Sequence, residues 1–423
     1  MCLLLITLSC LFLSTLNLAA QDWPQWRGPN DNWHSDDPHW SPEALSDGAR
    51  VLWRAQVGTG HAAASITGHR LYTLGLDDAR SDDSTAVERL SCLNRHTGQV
   101  IWTKDFISRQ FQYYGPGSTP TLEGGRLYML QRDGTVRALN PENGTQYWQR
   151  RLHAERLTMF NPWGICSSIL IVNHQLFINA GRAGLCLDKQ SGQTLWHNGN
   201  GEPGHATPVR FLSHGRPLIA IQTYDSLYAL DQSTGARQWA LAWQSDADPV
   251  FYGERAYING CKYRGQGTRV IDFSQGSPKT VWASDRSQYA FTPIIIHNGY
   301  AYTRTQKKSG QFILNCVDIE TGMQTWQQLI GHWGSLMLAG DKLIAINGEG
   351  QIKLIKADPA GYQLLGEASI YDKNDLSAFR LGQQKRRTCW TPPVLTGGRL
   401  YVRDTWGELV CIDMSNERRR KKQ

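Results

Sequence analysis

The chain alternates short apolar runs with glycine-containing turns. Between residues 119 and 148, four such runs follow one another, separated by turns at Gly124, Gly134 and Gly144. Runs of this length suit strands, and no 3.6-residue period typical of helices accompanies them. Glycine readily adopts the positive φ that hairpin turns require. This stretch therefore predicts four antiparallel strands.

The same unit recurs along the chain and ends in a signature: Asp or Asn, then Thr-Gly or an equivalent, then a tryptophan. The tryptophans of these signatures are Trp102, Trp148, Trp196, Trp239, Trp282 and Trp326. Their numbers differ successively by 46, 48, 43, 43 and 44. Four strands per unit at this period predict the blades of a β-propeller.

The number of blades depends on both ends of the repeat region. A seventh unit has Leu365 in the tryptophan position, and the last unit stops at Asp413 after three strands. Trp53 lies in phase, 49 residues before Trp102, and belongs to a strand with no preceding three. We predict an all-β fold, an eight-bladed β-propeller of four-stranded antiparallel blades over residues 50–414. The N-terminal strand closes the ring and removes its open edges. Seven blades would leave Trp53 without a place.

The repeated tryptophans and several cysteines predict packing rather than binding. A large ring beside a glycine turn in every blade suits contact between neighbouring blades. Four cysteines lie two residues before the signature Asn or Asp, where Ala138 and Ala229 stand in other blades. These cysteines are Cys92, Cys186, Cys316 and Cys411. A position that accepts alanine or cysteine predicts a small buried side chain and a free thiol.

The two ends of the chain differ from the repeats. Residues 1–20 are largely apolar, without a charged side chain, and end in Ala19-Ala20, which predicts a cleaved signal peptide. Lipid attachment at Cys10 is the alternative. We predict that residues 21–49 form an N-terminal extension on the outside or on one face of the ring. Residues 415–423 are predicted to form a basic tail. The expected location is periplasmic or secreted, without a transmembrane span.

Charge adds little to this interpretation. The formal net charge is +7, but five basic residues are concentrated in the tail, Arg418–Lys422, so the body is close to neutral. Such a body argues against nucleic acid as a partner. We expect a monomer with a protein or glycan partner outside the cytoplasm.

The blade signatures resemble those of the pyrroloquinoline-quinone (PQQ)-binding-like β-propeller repeat family. The opening Asp-Trp-Pro-Gln-Trp-Arg-Gly-Pro-Asn, residues 22–30, also looks like that of many exported bacterial members. The family includes quinoprotein alcohol dehydrogenases and the propeller lipoprotein of the outer-membrane β-barrel assembly machinery. The resemblance covers about residues 50–414 and is specific for the fold, which hosts several functions.

The catalytic members of this family make demands that the sequence does not meet. They hold PQQ between a tryptophan and a disulfide of adjacent cysteines, with Ca²⁺ and an Asp base. The chain has no Cys-Cys pair, and Asp246 and Asp248 form its one close acidic pair near the blade mouths. We therefore predict no cofactor, no metal and no catalytic residue, and a non-catalytic binding or assembly scaffold. The alternative is a PQQ-dependent oxidoreductase with Ca²⁺ and a divergent site; a third class, a glycan-handling enzyme, lacks an obvious carboxylate pair.

Residues just before each inner strand should line one mouth of the central channel, where propellers usually bind ligands. The predicted binding residues are His61, Tyr114, Trp163, His205, Asp248, Phe291, His332, Trp333, Arg387 and Trp390. An aromatic and histidine-rich mouth suits a peptide, a glycan or a ring-shaped ligand; aromatic rings that only fill the channel are the alternative. The three histidines belong to separate blades, too far apart for one metal ion.

Overall fold

The computed structural model describes residues 22–46, 48–80, 84–111, 115–260, 267–285, 293–305, 310–371 and 388–416. Within them lie 33 strands and two short 3-10 helices, Pro42–Leu45 and Asp78–Arg80. The strands form eight sheets, one per blade, which confirms the predicted propeller. The predicted signal peptide and the residues of the tail from 417 onward lie outside the described residues.

Two strands precede the first blade, and each joins a blade formed much later in the chain. They are β1 (His34–Ser35) and β2 (Val51–Gln56). In blades one to seven, the four repeat strands run from the channel outward in chain order.

Blades one to four comprise sixteen strands. Blade one contains β3 (Ser65–Thr67), β4 (Arg70–Leu76), β5 (Thr85–Asn94) and β6 (Val100–Arg109). Blade two contains β7 (Thr121–Glu123), β8 (Arg126–Leu130), β9 (Thr135–Leu139) and β10 (Gln146–Arg151). Blade three contains β11 (Leu170–Val172), β12 (Gln175–Ile178), β13 (Leu185–Asp188) and β14 (Thr194–His197). Blade four contains β15 (Val209–Ser213), β16 (Arg216–Gln222), β17 (Ser226–Asp231) and β18 (Arg237–Ala242).

Blades five to eight follow the same order. Blade five contains β19 (Val250–Tyr252), β20 (Arg255–Asn259), β21 (Thr268–Asp272) and β22 (Lys279–Ser284). Blade six contains β23 (Ile295–His297), β24 (Tyr300–Thr305), β25 (Gln311–Asp318) and β26 (Gln324–His332). Blade seven contains β27 (Ser335–Ala339), β28 (Lys342–Ile346), β29 (Gln351–Lys356) and β30 (Leu364–Ser369). Blade eight contributes β31 (Val394–Thr396), β32 (Arg399–Arg403) and β33 (Glu408–Asp413).

The ring closes through its first long strand. β2 pairs antiparallel with β33 and becomes the outermost strand of blade eight, with Trp53 opposite Cys411. The in-phase position of Trp53 in the sequence predicted this pairing, and the structure confirms it. Closure gives β33 a partner on the edge that would otherwise be open.

The signature tryptophans join neighbouring blades along the outer rim. In six of them, the indole Nε1 donates a hydrogen bond of 2.8–3.1 Å to a backbone carbonyl of the next blade. The donor and acceptor residues are Trp53–Arg95, Trp102–Pro141, Trp148–Lys189, Trp196–Gln232, Trp282–Ile319 and Trp326–Asp358. Trp239 packs on Phe273 of the next blade, with ring centroids 5.7 Å apart. The predicted packing role is confirmed.

The glycine of the signature serves this same contact. Gly192 has φ +74°, and a Cβ placed on it would lie 2.9 Å from the indole of Trp148 in the preceding blade. Only glycine combines this left-handed conformation with so close an approach. Behind the rim, Cys186 lies opposite Trp196 on the adjacent strand and is buried with a free thiol, as predicted. Cys92, Cys316 and Cys411 share this arrangement with their own tryptophans.

Candidate functional site

The central channel has two different ends. We call the end where the chain enters each inner strand the mouth, and the opposite end, where each inner strand turns into the second strand of its blade, the turn end. In blade one, His61 precedes β3 at the mouth, and Gly68 follows β3 at the turn end.

Residues 22–37, which we call the plug, enter the channel from the turn end. Asp22 accepts hydrogen bonds from Thr67 Oγ1 at 2.6 Å and from the backbone nitrogen of Gly68 at 2.9 Å. Trp23 then exchanges two backbone hydrogen bonds with Ile66, at 2.9 and 2.7 Å. These contacts occupy the channel-side edge of β3, the inner strand of blade one.

Arg27 is a buried charged residue of the plug and is only 4% exposed. Its guanidinium lies 2.7 Å from Asp31 within the plug and 2.7 Å from Asp248 before the inner strand of blade five. It also donates to the backbone carbonyls of Thr207, at 3.3 Å, and Pro208, at 2.6 Å. Burial opposes the charged form, but the two carboxylates more than offset it and raise the pKa of Arg27 above its ordinary value. The guanidinium thus stays charged within a cup of oxygen atoms.

Three indoles fill the space around Arg27. Trp23 and Trp33 are almost fully buried, and their ring centroids lie 6.2 Å apart. Trp26 packs edge-on against Trp33 at 4.7 Å and donates through Nε1 to Asp248 at 3.1 Å. Gly28, with φ +77°, leaves room for the Trp23 ring, which would lie 2.8 Å from an added Cβ. The turn at Gly28 therefore lets the plug fold back on itself.

The plug leaves the channel beside blades seven and eight. β1 pairs in parallel with β27 and adds a fifth strand to the channel side of blade seven. Ser35 donates to the carbonyl of Leu395, and Asp37 accepts from the nitrogen of Gly398, both in blade eight. The chain then crosses the turn end and reaches β2 on the outer rim.

This position differs from the predicted one. The sequence placed residues 21–49 on the outside or on one face of the ring, whereas the structure places the plug against the inner strands. The backbone groups on the channel side of β3 and β27 need hydrogen-bond partners, and an extended segment supplies them. The signal in the sequence was the density of tryptophan around an arginine in residues 22–33.

At the mouth, the structure brings together predicted residues of three blades. The ring of Trp390 lies 5.1 Å from that of Trp333 and 5.7 Å from that of His61, measured between centroids. All three side chains are half-buried. Arg304, which the sequence analysis did not select, places its guanidinium 5.7 Å from the centre of the Trp333 ring. Aromatic surface with a cation beside it is therefore available at this side of the mouth.

A second group of predicted residues forms between blades three, four and five. Trp163 packs edge-on against His205, with ring centroids 5.2 Å apart. His205 Nδ1 lies 3.2 Å from Asp246, and its Nε2 lies 3.4 Å from the side-chain amide of Asn161. His205 is therefore held by both ring nitrogens. The structure separates it from His61 and His332, as expected for three different blades.

Burial and two nearby arginines keep His61 neutral. Burial, together with Arg403 and Arg132, lowers the pKa of His61 to about 4. Arg403 is fully buried and donates to the carbonyls of Gly58, Ala62 and Leu74, which connects blade eight to blade one. Burial also lowers the pKa of Arg403 to about 10. The sequence signal for this contact was an arginine directly after the buried run Leu400–Val402 of β32.

The remaining predicted residues have different surroundings. His332 is exposed and lies 3.6 Å from Glu349. Asp248 belongs to the cup around Arg27, so its carboxylate is engaged by the plug. Tyr114, Phe291 and Arg387 lie outside the described residues.

The side chains of the channel do not fit the PQQ and Ca²⁺ site of the alternative interpretation. Of the two neighbouring carboxylates, Asp246 pairs with His205 and Asp248 with Arg27. In the part of the chain that the structure describes, no three His, Cys, Asp or Glu residues group to hold a metal ion. The sequence also lacks the adjacent cysteines of the quinoproteins.

Solved structures share this architecture. The structure of BamB from Moraxella catarrhalis aligns with a TM-score of 0.59 and 14% identity, covering 86% of this chain and 99% of that one. A quinohemoprotein alcohol dehydrogenase from Comamonas testosteroni aligns with a TM-score of 0.64 and 12% identity, covering 93% and 80%. Likeness at this identity establishes the fold. No helix among the described residues has the length and apolar character needed to cross a bilayer.

Relatives identified by sequence carry one name. The outer membrane protein assembly factor BamB of Yersinia pestis is 21% identical over 348 residues, which cover 77% of this chain and 81% of that protein. The factor of the same name from Salmonella typhimurium is 22% identical over 346 residues, with the same two coverages. The sequence profile described as outer membrane protein assembly factor BamB, a PQQ-repeat family, matches residues 43–174 and 179–423. The chain belongs to this family.

Proposed function

We propose that the chain is an exported, non-catalytic scaffold for outer-membrane protein assembly and that a protein partner docks at the mouth of its channel. The names of its relatives support the process, because they are assembly factors of the outer membrane. The proposed location is the periplasm, beside the outer membrane.

The mouth is proposed as the docking site because the two ends of the channel differ. The plug enters at the turn end and fills the channel beyond it with buried tryptophans and a paired arginine, so access from that end is closed by the chain itself. The mouth carries half-buried Trp163, Trp333 and Trp390 on loops held by a rigid ring. Half-exposed aromatic rings on a rigid frame are the kind of surface that anchors protein partners.

Site-specific photo-crosslinking in living cells tests this proposal with two exposed histidines. His332 lies at the mouth, and His214 lies at the turn end; their side chains are 49% and 61% exposed. We expect a photoreactive residue at position 332 to crosslink to outer-membrane assembly proteins and the same residue at 214 to give much less of that product. Equal products from both positions, or products from 214 alone, would contradict docking at the mouth.

A titration addresses the non-catalytic part of the proposal. Purified mature protein is mixed with PQQ and Ca²⁺ and followed by absorbance and by thermal melting. We expect neither stoichiometric binding nor dye-linked alcohol oxidation, because the carboxylates near the mouth are already paired. Stoichiometric binding of PQQ together with alcohol oxidation would contradict the non-catalytic scaffold and identify the protein as a quinoprotein enzyme.

A further inference from the structure

We infer that the central channel, entered from its turn end, is a peptide-binding site, which the plug occupies from within the same chain and which an equivalent peptide can occupy instead. The ligand class is an extended peptide that carries a Trp-x-x-Trp-Arg sequence, as residues 23–27 do. The plug enters from the end opposite the proposed docking mouth, and Arg27 reaches the residues that precede the inner strands of blades four and five. The inference does not rest on the proposed function.

The plug is bound as peptides are bound by strand addition. Trp23 pairs with the channel-side edge of β3, the carbonyl of Pro24 accepts from the nitrogen of Leu122 in β7, and β1 pairs with β27. In strand addition, backbone hydrogen bonds supply affinity and side-chain pockets supply specificity. The plug has both components.

The ring supplies one carboxylate and two carbonyls to the pocket around Arg27, and the plug adds its own Asp31. Asp248 and the carbonyls of Thr207 and Pro208 all belong to blades four and five, and all accept from Arg27. The nitrogen of Thr207 holds the second oxygen of Asp248 at 2.8 Å, which fixes the carboxylate towards the channel. A fixed carboxylate beside two carbonyls suits a planar guanidinium, which offers several donors in one plane.

The ring does not need the plug to complete its blades. Every blade has four strands drawn from residue 51 onward, and β1 is a fifth strand added to blade seven. Within the described residues, the channel-side edges of β11, β15, β19 and β23 carry no added strand. The profile of the family also begins at residue 43, after the plug. The plug is therefore an addition to a complete ring.

A single exposed connection joins the plug to the ring. Pro38 and His39 are both exposed, and the chain beyond them is held by Ser41, whose nitrogen donates to the carbonyl of Met414 at 2.7 Å. The connection can therefore be cut after folding without touching the pocket or β2.

The test starts from the full chain with a protease recognition sequence inserted between Pro38 and His39. After cleavage, we expect the fragment to remain bound through gel filtration and to be replaced by an excess of labelled synthetic peptide 22–37. A peptide with Arg27→Ala should bind at least about 100-fold more weakly, because it leaves the carboxylate of Asp248 without its cation. A peptide with Asp36→Asn is the matched control and should bind as the parent does, since Asp36 is exposed.

Two outcomes of this exchange would overturn the inference. A fragment that stays bound but never exchanges would make the plug a permanent part of the fold. Equal affinities of the parent and Arg27→Ala peptides would show that the pocket around Arg27 does not determine which peptide binds.

Hydrogen exchange of the uncut chain provides a second measurement if cleavage unfolds the protein. The amides of Ile66 and Leu338 donate to Trp23 and Trp33 of the plug. We expect them to exchange through local opening, faster than core amides such as that of Cys186, which pairs within blade three. Exchange of all three amides only by global unfolding would show that the plug cannot leave, and the inference would fail.

Discussion

The outer rim and the central channel are held together in different ways. On the rim, one contact recurs from blade to blade: an indole donates to the next blade and covers its signature glycine, as Trp148 does with Lys189 and Gly192. In the channel, each contact occurs once, as between Arg27 and Asp248. A repeated contact distributes stability around the ring, whereas a single contact concentrates it at one place. Variants of the two regions should therefore differ in how much stability is lost when one side chain is replaced.

The largest effect is expected from removing the closing strand. Deletion of residues 50–57 removes β2 and leaves the outer edge of β33 without a partner. It also removes Trp53, which is 8% exposed and contacts blade one. We expect loss of cooperative thermal melting, or aggregation, because an open edge of this kind pairs with other chains. An unchanged melting curve would contradict the closure of the ring by β2.

Replacement of Arg27 by Met should cost about 3–5 kcal/mol of unfolding free energy, because it leaves two carboxylates in the channel without their cation. Arg216→Met is the matched control on the surface, where the pair with Asp231 has a 61% exposed arginine. It should cost about 0–1 kcal/mol. Urea denaturation measures both values, and similar losses would mean that the buried cup adds no stability beyond a surface pair.

Acidification should weaken the fold through His61 at the mouth. The unfolded histidine takes up a proton near its ordinary pKa of about 6.5, whereas the folded one does so only near 4. Stability therefore falls as the pH drops from about 6.5 to 4, by up to about 3 kcal/mol. His61→Gln should flatten this part of the stability curve measured by urea denaturation at several pH values. Parallel curves of stability against pH for the parent and the His61→Gln variant would show that His61 does not cause the loss of stability at low pH.

The smallest effect should be the excess cost of a methyl group that meets an indole on the rim, measured against a methyl group that meets nothing. Gly192→Ala introduces a Cβ 2.9 Å from the Trp148 ring, whereas Gly276→Ala, at a similar φ of +84°, meets nothing within 4 Å. Both changes strain the backbone by about 1–2 kcal/mol. The first should cost about 1–3 kcal/mol more, because the indole must move. In a Trp148→Leu background that excess should largely disappear, as a double-mutant cycle would measure.

The sequence predicted the rim well because its contacts repeat. The spacing of the tryptophans gave the blade count, and the phase of Trp53 identified the closing strand. The position opposite the tryptophan holds alanine or cysteine in every such blade except that of Trp282, which has Val270, and it correctly predicted buried free thiols. Periodicity averages over the blades, so an irregular unit such as that of Leu365 does not obscure the pattern.

The channel was harder to predict because its contacts join distant parts of the chain once. The mouth residues were located from their position before each inner strand, and His61, Trp333 and Trp390 do meet there. Asp248 was assigned to the same mouth, yet its partner is Arg27, 221 residues earlier in the chain. No spacing rule connects two such positions.

Local spacing was therefore sufficient to predict the blades, their number and the packing of the signature tryptophans on the outer rim. Each of these features depends on neighbouring residues and recurs along the chain. The path of residues 22–37 into the channel depends instead on the hydrogen-bonding edges that a closed ring presents to its centre. Those edges come from blades one, two and seven, which surround one axis in the ring that the pairing of β2 with β33 closes. The position of the plug is a consequence of closure, and closure is a property of the folded chain.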